Sequence, residues 1–230
     1  MNETTHLSRQ FDEDLERLRS SVLQMGGLVE TQISMTIKAY TEKTSSTVLA
    51  VIENDHEVNA LEKTIDDDCI HIIAKRQPTA SDLRLIMGVS KMVTDLERSG
   101  DEVKKMAKSI RRIQEREQHV LEATTDVRHL AKAASTQLRK ALDTFARLDT
   151  TEAVAVIVAD EELDREFKAV VRQLITYMME DPRTITTSLD IITMARAIER
   201  VGDHAKNIAE QVIYIVEGRD VRHTKNKIDT

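Results

Sequence analysis

The sequence predicts an all-α protein built as two tandem three-helix bundles. Three observations point there. Breakers are scarce, with 6 glycines and 2 prolines in 230 residues. Strand-formers are scarce too, since aromatics make up 3% and tryptophan is absent, while helix-favouring Ala, Leu, Ile, Glu, Lys and Arg abound. Finally, the breaks recur. Pro182 follows Pro78 by 104 residues, Asp160 follows Asp55 by 105 and Glu199 follows Glu97 by 102. An offset near a hundred residues is long enough for each copy to be a compact unit.

The elements follow from the punctuation. Polar stretches at Thr41–Val48 and Arg147–Val154 end one helix and supply Ser, Thr or Asp to cap the next. Pro78 and Pro182 each stand where a first helical turn tolerates proline. A polar break through Gln114–Asp126 separates the copies. These marks predict helices over 7–43, 46–75, 79–114, 121–148, 151–180 and 183–217. The expected units are 1–116 and 117–218, followed by a frayed polar tail over 219–230.

A formal net charge of −7 disfavours a nucleic-acid coat. The single cysteine, Cys69, precludes an intrachain disulfide and lies among isoleucines as a small core residue. The polar amino terminus lacks a signal-like apolar stretch, and no run of about 18 apolar residues is present, so a cytoplasmic protein is expected.

The fifth helix carries an apolar seam through Ala153, Ile157, Asp160, Asp164, Phe167, Val171, Leu174 and Met178. Two carboxylates at the centre of a seam are costly unless paired or metal-bound. On the second helix Asp55 and Asn59 take the matching places, in a seam that runs on through Glu62 and Asp66. The third and sixth helices present Glu97 with Asp101 and Glu199 with Asp203, each pair one turn apart on one face. Gly100 and Gly202 lie beside them and point to close helix contacts.

The expected metal-ligating sets are therefore Asp55, Asn59, Glu97 and Asp101 in the first unit, and Asp160, Asp164, Glu199 and Asp203 in the second. Oxygen-only sets suit ions such as Mg, Mn, Fe and Ca. The plainer alternative is a solvated acidic face salt-bridged to Arg98 and Arg200. A ferritin-like site wants two Glu-x-x-His motifs, and only Glu53–His56 fits. His204 reads as a surface residue, with metal ligation as the alternative. The run Lys104, Lys105, Lys108, Arg111 and Arg112 reads as a solvated helix end. No phosphate loop, nucleophile elbow or Cys/His pair is present, so no enzyme is expected.

The segments Lys75–Arg84, Asp95–Asp101, Val171–Ile185 and Ala197–Glu210, with Phe11–Glu30 in the first helix, together resemble the PhoU family of phosphate-signalling regulators. The likeness covers nearly the whole chain. It implies paired three-helix bundles whose two ExxxD motifs hold multinuclear metal clusters, iron or zinc in some members. It further implies a cytoplasmic homodimer that is not an enzyme. Such a protein would repress the phosphate-starvation response, linking the phosphate ABC transporter ATPase to its sensor histidine kinase and meeting the membrane only through those partners, with no direct nucleic-acid contact. Two positions depart from the common pattern: Ser99 replaces an isoleucine and Asn59 an acidic residue. A metal-binding or metal-storage protein and a purely structural scaffold are the competing readings.

Overall fold

A computed structural model describes residues 3–53, 55–116 and 124–222. Its elements are helices α1 (Glu3–Glu42), α2 (Ser45–Glu53), α3 (Asp55–Arg76), α4 (Ala80–Glu115), α5 (Thr124–Arg147), α6 (Thr150–Glu180) and α7 (Ile185–Glu217). Helices α2 and α3 flank residue 54 and together occupy the second expected helix, so the described part follows the six-helix reading closely. No strand occurs among the described residues. The expected helix start at 121–123 and tail residues 223–230 lie outside the described residues.

The turns show local chemistry at work. Asp149 caps α6 by accepting from the backbone N–H groups of Thr151 and Glu152 at 3.0 and 3.1 Å. Asp181 accepts from the Arg183 N–H at 3.0 Å and opens a 3-10 turn, Pro182–Thr184, that starts with proline and leads into α7. Gly218, at φ 69°, ends α7 in the left-handed conformation that glycine adopts without strain. The repeat reaches the backbone: Lys43 and Leu148, equivalent residues after α1 and α5, have φ of 54° and 53°.

One unit is α1, α2/α3 and α4; the other is α5, α6 and α7. Apolar stripes from all of them meet in one continuous core, to which α1 and α5 both contribute. The units join chiefly through α4 and α7. These run antiparallel, since Arg84 near the start of α4 donates to the Ile215 carbonyl near the end of α7 at 3.5 Å. At the other end, Arg112 and Arg116 reach Asp190 near the start of α7. Cys69 is buried, and burial pushes its thiol up to about 12, as a core cysteine should be. No described helix is long and apolar enough to cross a membrane.

Candidate functional site

In the second unit the seam carboxylate Asp160 is only 4% exposed. It accepts from Gln137 Nε2 on α5 at 3.2 Å and from Lys206 Nζ on α7 at 2.9 Å. Asp164 follows one turn later, half-buried. Across from them Glu199 is half-buried, and Asp203 stands at the exposed rim. Burial, then the negative charges of Asp203 and Asp164, hold the Glu199 carboxyl above its ordinary range. Asp203 is raised by burial, then by Asp160 and Asp164, against the opposing pull of Lys206 and His204. Although Asp203 reaches solvent, its carboxyl leans on these neighbours. Asp164 thus bears on both Glu199 and Asp203.

The first unit repeats this with one exchange. Asp55, 5% exposed, accepts from Lys104 Nζ at 2.6 Å. Glu97 is raised by burial, then by Asp101, Glu62 and Asp55. Glu62 is raised by burial and then by Asp66, with Asp101 adding a smaller push. The fourth charge is thus Glu62 rather than Asn59, which is half-buried and neutral. Glu62 was visible in the seam pattern, but no repeat-mate marked it, because Phe167 stands 105 residues later.

Each cluster also holds a lysine three residues past the aspartate of its ExxxD motif. Lys104 therefore belongs to the first acidic cluster rather than to a solvated helix end, and Lys206 takes the same place in the second. The rest of the basic run is divided: Lys105 donates to Glu102 at 2.8 Å and Arg112 pairs with Asp190, whereas Arg111 pairs with Glu115 on its own helix. Arg200 bridges to Glu102 on α4 at 3.2 Å rather than to Glu199. His204 is no surface residue: its Nδ1 lies 2.8 Å from buried Asp95 Oδ1, to which Asn207 Nδ2 also donates at 3.0 Å. That network ties α7 to α4 at the junction of the units. An open groove of about 1950 Å³ runs along this junction, and both Asp101 and Asp203 border it.

The donor set of each cluster is all oxygen, crowded and short of positive charge, which fits a hard or borderline divalent cation. As placed, no three His, Cys, Asp or Glu side chains converge into a coordination group among the described residues. Asp55 and Asp160 instead contact an ammonium. With a metal bound, Asp164, Glu199 and Asp203, or Glu62, Glu97 and Asp101, would supply the remaining charge.

The mutual repulsion has a measurable sign. The folded chain binds the Glu199 proton more tightly than the unfolded chain does. Stability therefore falls as pH rises from the ordinary glutamate value through the raised folded value, and the loss persists above it. Glu199→Gln is expected to raise the neutral-pH melting midpoint by a few degrees, roughly 2–4 °C, and to flatten that fall. Thermal melts from pH 4 to 8 check it. A lower midpoint in the variant at pH 7 would contradict the repulsion.

Comparison with known proteins places these features in a family. The PhoU domain matches residues 22–110 and 127–212, one match per unit. The phosphate-specific transport system accessory protein PhoU homolog of Pseudomonas putida is 48% identical over 220 residues, covering 96% of this chain and 86% of that protein. The phosphate-specific transport system accessory protein PhoU of Escherichia coli is 44% identical over 224 residues, covering 97% and 92%. The crystal structure of PhoU from Pseudomonas aeruginosa superposes with a TM-score of 0.87 at 45% identity, covering 91% of this chain and all of that one. The phosphate transport system regulatory protein PhoU from Streptococcus pneumoniae gives a TM-score of 0.84 at 27% identity, covering 92% of this chain and 99% of that one. With both units matched and relatives aligned along almost the full length, the chain belongs to the PhoU family.

Proposed function

We propose that this protein is a negative regulator of the phosphate-starvation response. It acts as a cytoplasmic adaptor between the phosphate ABC transporter ATPase and the sensor histidine kinase of the phosphate regulon, and it modulates phosphate uptake. The observation that carries this reading is the near-full-length relationship to proteins named for the phosphate-specific transport system. Long helical faces and a broad polar groove between the units suit docking rather than turnover. As a homodimer it would offer those surfaces twice.

The test is genetic. Deleting the gene should leave alkaline phosphatase high in phosphate-rich medium, and the intact gene should restore repression. Normal repression in the deletion strain would overturn the reading. Co-purification with the transporter ATPase and the kinase tests the partners separately.

A second reading, metal binding, is supported by the two clusters in which burial and neighbouring carboxylates hold Glu97, Glu199 and Asp203 above their ordinary ranges. Iron, zinc, magnesium or manganese would relieve their repulsion. Protein purified without added metal should retain metal in near-integral amounts, and Glu199→Ala should lose the share held by the second cluster. Equal metal content in the variant would argue against that cluster as the site.

A further inference from the structure

We propose that the outer face shared by α6 and α7 docks an acidic amphipathic helix of a partner protein. This rests on the adaptor reading and names the chemistry of one docking surface. Three contacts fix the register of the two helices: Asp160 with Lys206, Gly202 close against Leu163, and the Arg196 guanidinium 5.2 Å over the Phe167 ring. Each turn along α6 is matched by a turn back along α7. Carried three turns on, that register sets Val171 level with Ile192, Ile175 with Leu189 and Met179 with Ile185. These residues form an apolar ladder of two rows. Val171 and Ile192 are half-buried and pack on the core, whereas Ile175, Met179, Ile185 and Leu189 are 44%, 80%, 41% and 53% exposed. The other unit keeps the feature. Ile70, Leu83 and Met87 precede Ile175, Ile185 and Leu189 by 105, 102 and 102 residues and are 66%, 39% and 45% exposed. Large apolar side chains gathered on an outer face mark a contact surface.

Rungs one turn apart match the i, i+4, i+7 anchors of a single amphipathic helix laid along the ladder. The border selects the charge of that helix. Lys168 and Arg172 stand exposed beside the α6 row, and Arg196 stands exposed at the end of the α7 row. The Arg172 Nε donates to the Lys168 carbonyl at 3.3 Å, which holds its guanidinium on this side of α6. Acidic residues flanking the partner's apolar stripe complement all three cations. The border differs in the first unit, where Asp66, Asp67 and Thr94 replace Val171, Arg172 and Arg196. Asp66 also accepts from Ser90 Oγ at 3.1 Å, which puts a polar pair in the middle of that ladder. The first unit therefore disfavours the same helix, and the duplication yields two related surfaces of unlike charge. An anionic lipid surface fits the second ladder less well, because Asp164, Glu199 and Asp203 follow directly past Phe167 and would face the headgroups.

The test is photocrosslinking of the full chain in cells that express it natively, with p-benzoylphenylalanine in place of Met179. Mass spectrometry then reads the sequence of the crosslinked segment. That segment should belong to another protein and carry an apolar stripe at i, i+4 and i+7 flanked by Asp or Glu. Leu189→Ser and Arg172→Glu should each lower the yield about tenfold. Met87→Ser, at the equivalent place in the other unit, should leave it unchanged. All three positions are exposed, so thermal melts of the variants should match the parent. Crosslinks to this chain alone would make the ladder a contact between copies and overturn the proposal. A segment flanked by Lys or Arg, or no crosslink at all, would overturn it too. Sedimentation of the full chain with phosphatidylglycerol vesicles, lost in Leu189→Ser, would assign the face to a membrane instead. Complementation separates this proposal from the reading beneath it. If the intact gene restores repression to a deletion strain and a gene carrying Met179→Ser with Leu189→Ser does so equally, the docking face fails and the adaptor reading stands. If the deletion strain represses normally, the adaptor reading fails and the proposal falls with it.

Discussion

Gly202→Val is expected to destabilise the protein by about 3 kcal/mol, whereas Gly100→Ala, at the repeat-equivalent position, is expected to be neutral or stabilising by up to about 1 kcal/mol. Both glycines sit inside long helices, where alanine is intrinsically better. Packing decides the sign. A Cβ added at Gly202 would stand 2.0 Å from Leu163 Cδ2 and 3.2 Å from Gln137 Oε1. Leu163 is 2% exposed, and Gln137, 5% exposed, is engaged with Asp160. Neither can retreat without spreading α7 from α5 and α6, and valine adds two more methyl groups to the clash. At Gly100 the nearest atoms to a new Cβ are Val58 Cγ1 at 3.5 Å, Asp55 Oδ1 at 3.8 Å and Gln32 Oε1 at 3.9 Å, which is ordinary contact. The methyl fits and the helix gains. Urea denaturation of the two variants checks both signs. Equal destabilisation would mean that the units pack alike around their glycines.

That contrast shows where a sequence informs and where it does not. The repeat was legible because prolines, caps and acidic pairs recur at nearly constant offsets, and backbone punctuation acts locally. The burial of Asp55 and Asp160 was legible for a similar reason: both fall on an apolar stripe, and helical periodicity fixes which face they share. The partners of these carboxylates were not legible. Lys104 read as part of a solvated helix end and Lys206 drew no reading, because a long side chain chooses its direction only once a neighbouring helix is in place. Glu62 was hidden by the loss of its repeat-mate to Phe167, so the symmetry that exposed the other acids worked against it. His204 lies beside Asp203 in sequence but points to Asp95 on the other unit, a choice set by helix packing. Gly100 and Gly202 looked equivalent, and only the side chain facing each one, Val58 or Leu163, tells them apart.

The same limit applied to the end of α4. Arg112 lies in a run of cations that suits a solvated helix terminus, yet its Nε lies 2.7 Å from Asp190 Oδ1, and Arg116 contacts the other oxygen of that carboxylate. Asp190 is 8% exposed, so these guanidiniums compensate a nearly buried charge and tie the end of the first unit to the start of α7. Arg112 also donates to Ser109 Oγ at 2.9 Å, which fixes its fork on α4. Removing one partner of a fully buried pair costs roughly 3–5 kcal/mol. Here the arginine side chains are 41% and 33% exposed and water can solvate them once Asp190 is gone. Asp190→Ala is therefore expected to cost less, about 2 kcal/mol, or roughly 4–8 °C in midpoint for a chain of this size. Arg112→Ala should cost less again, because Arg116 still neutralises the aspartate. The double variant should cost less than the sum of the two, since the shared contact is lost only once. Thermal and urea melts of the three variants measure that coupling. Additive effects would show that the pair contributes nothing to holding the units in register, leaving that task to the apolar face of α4 against α7 and to the Asp95–His204–Asn207 network further along it.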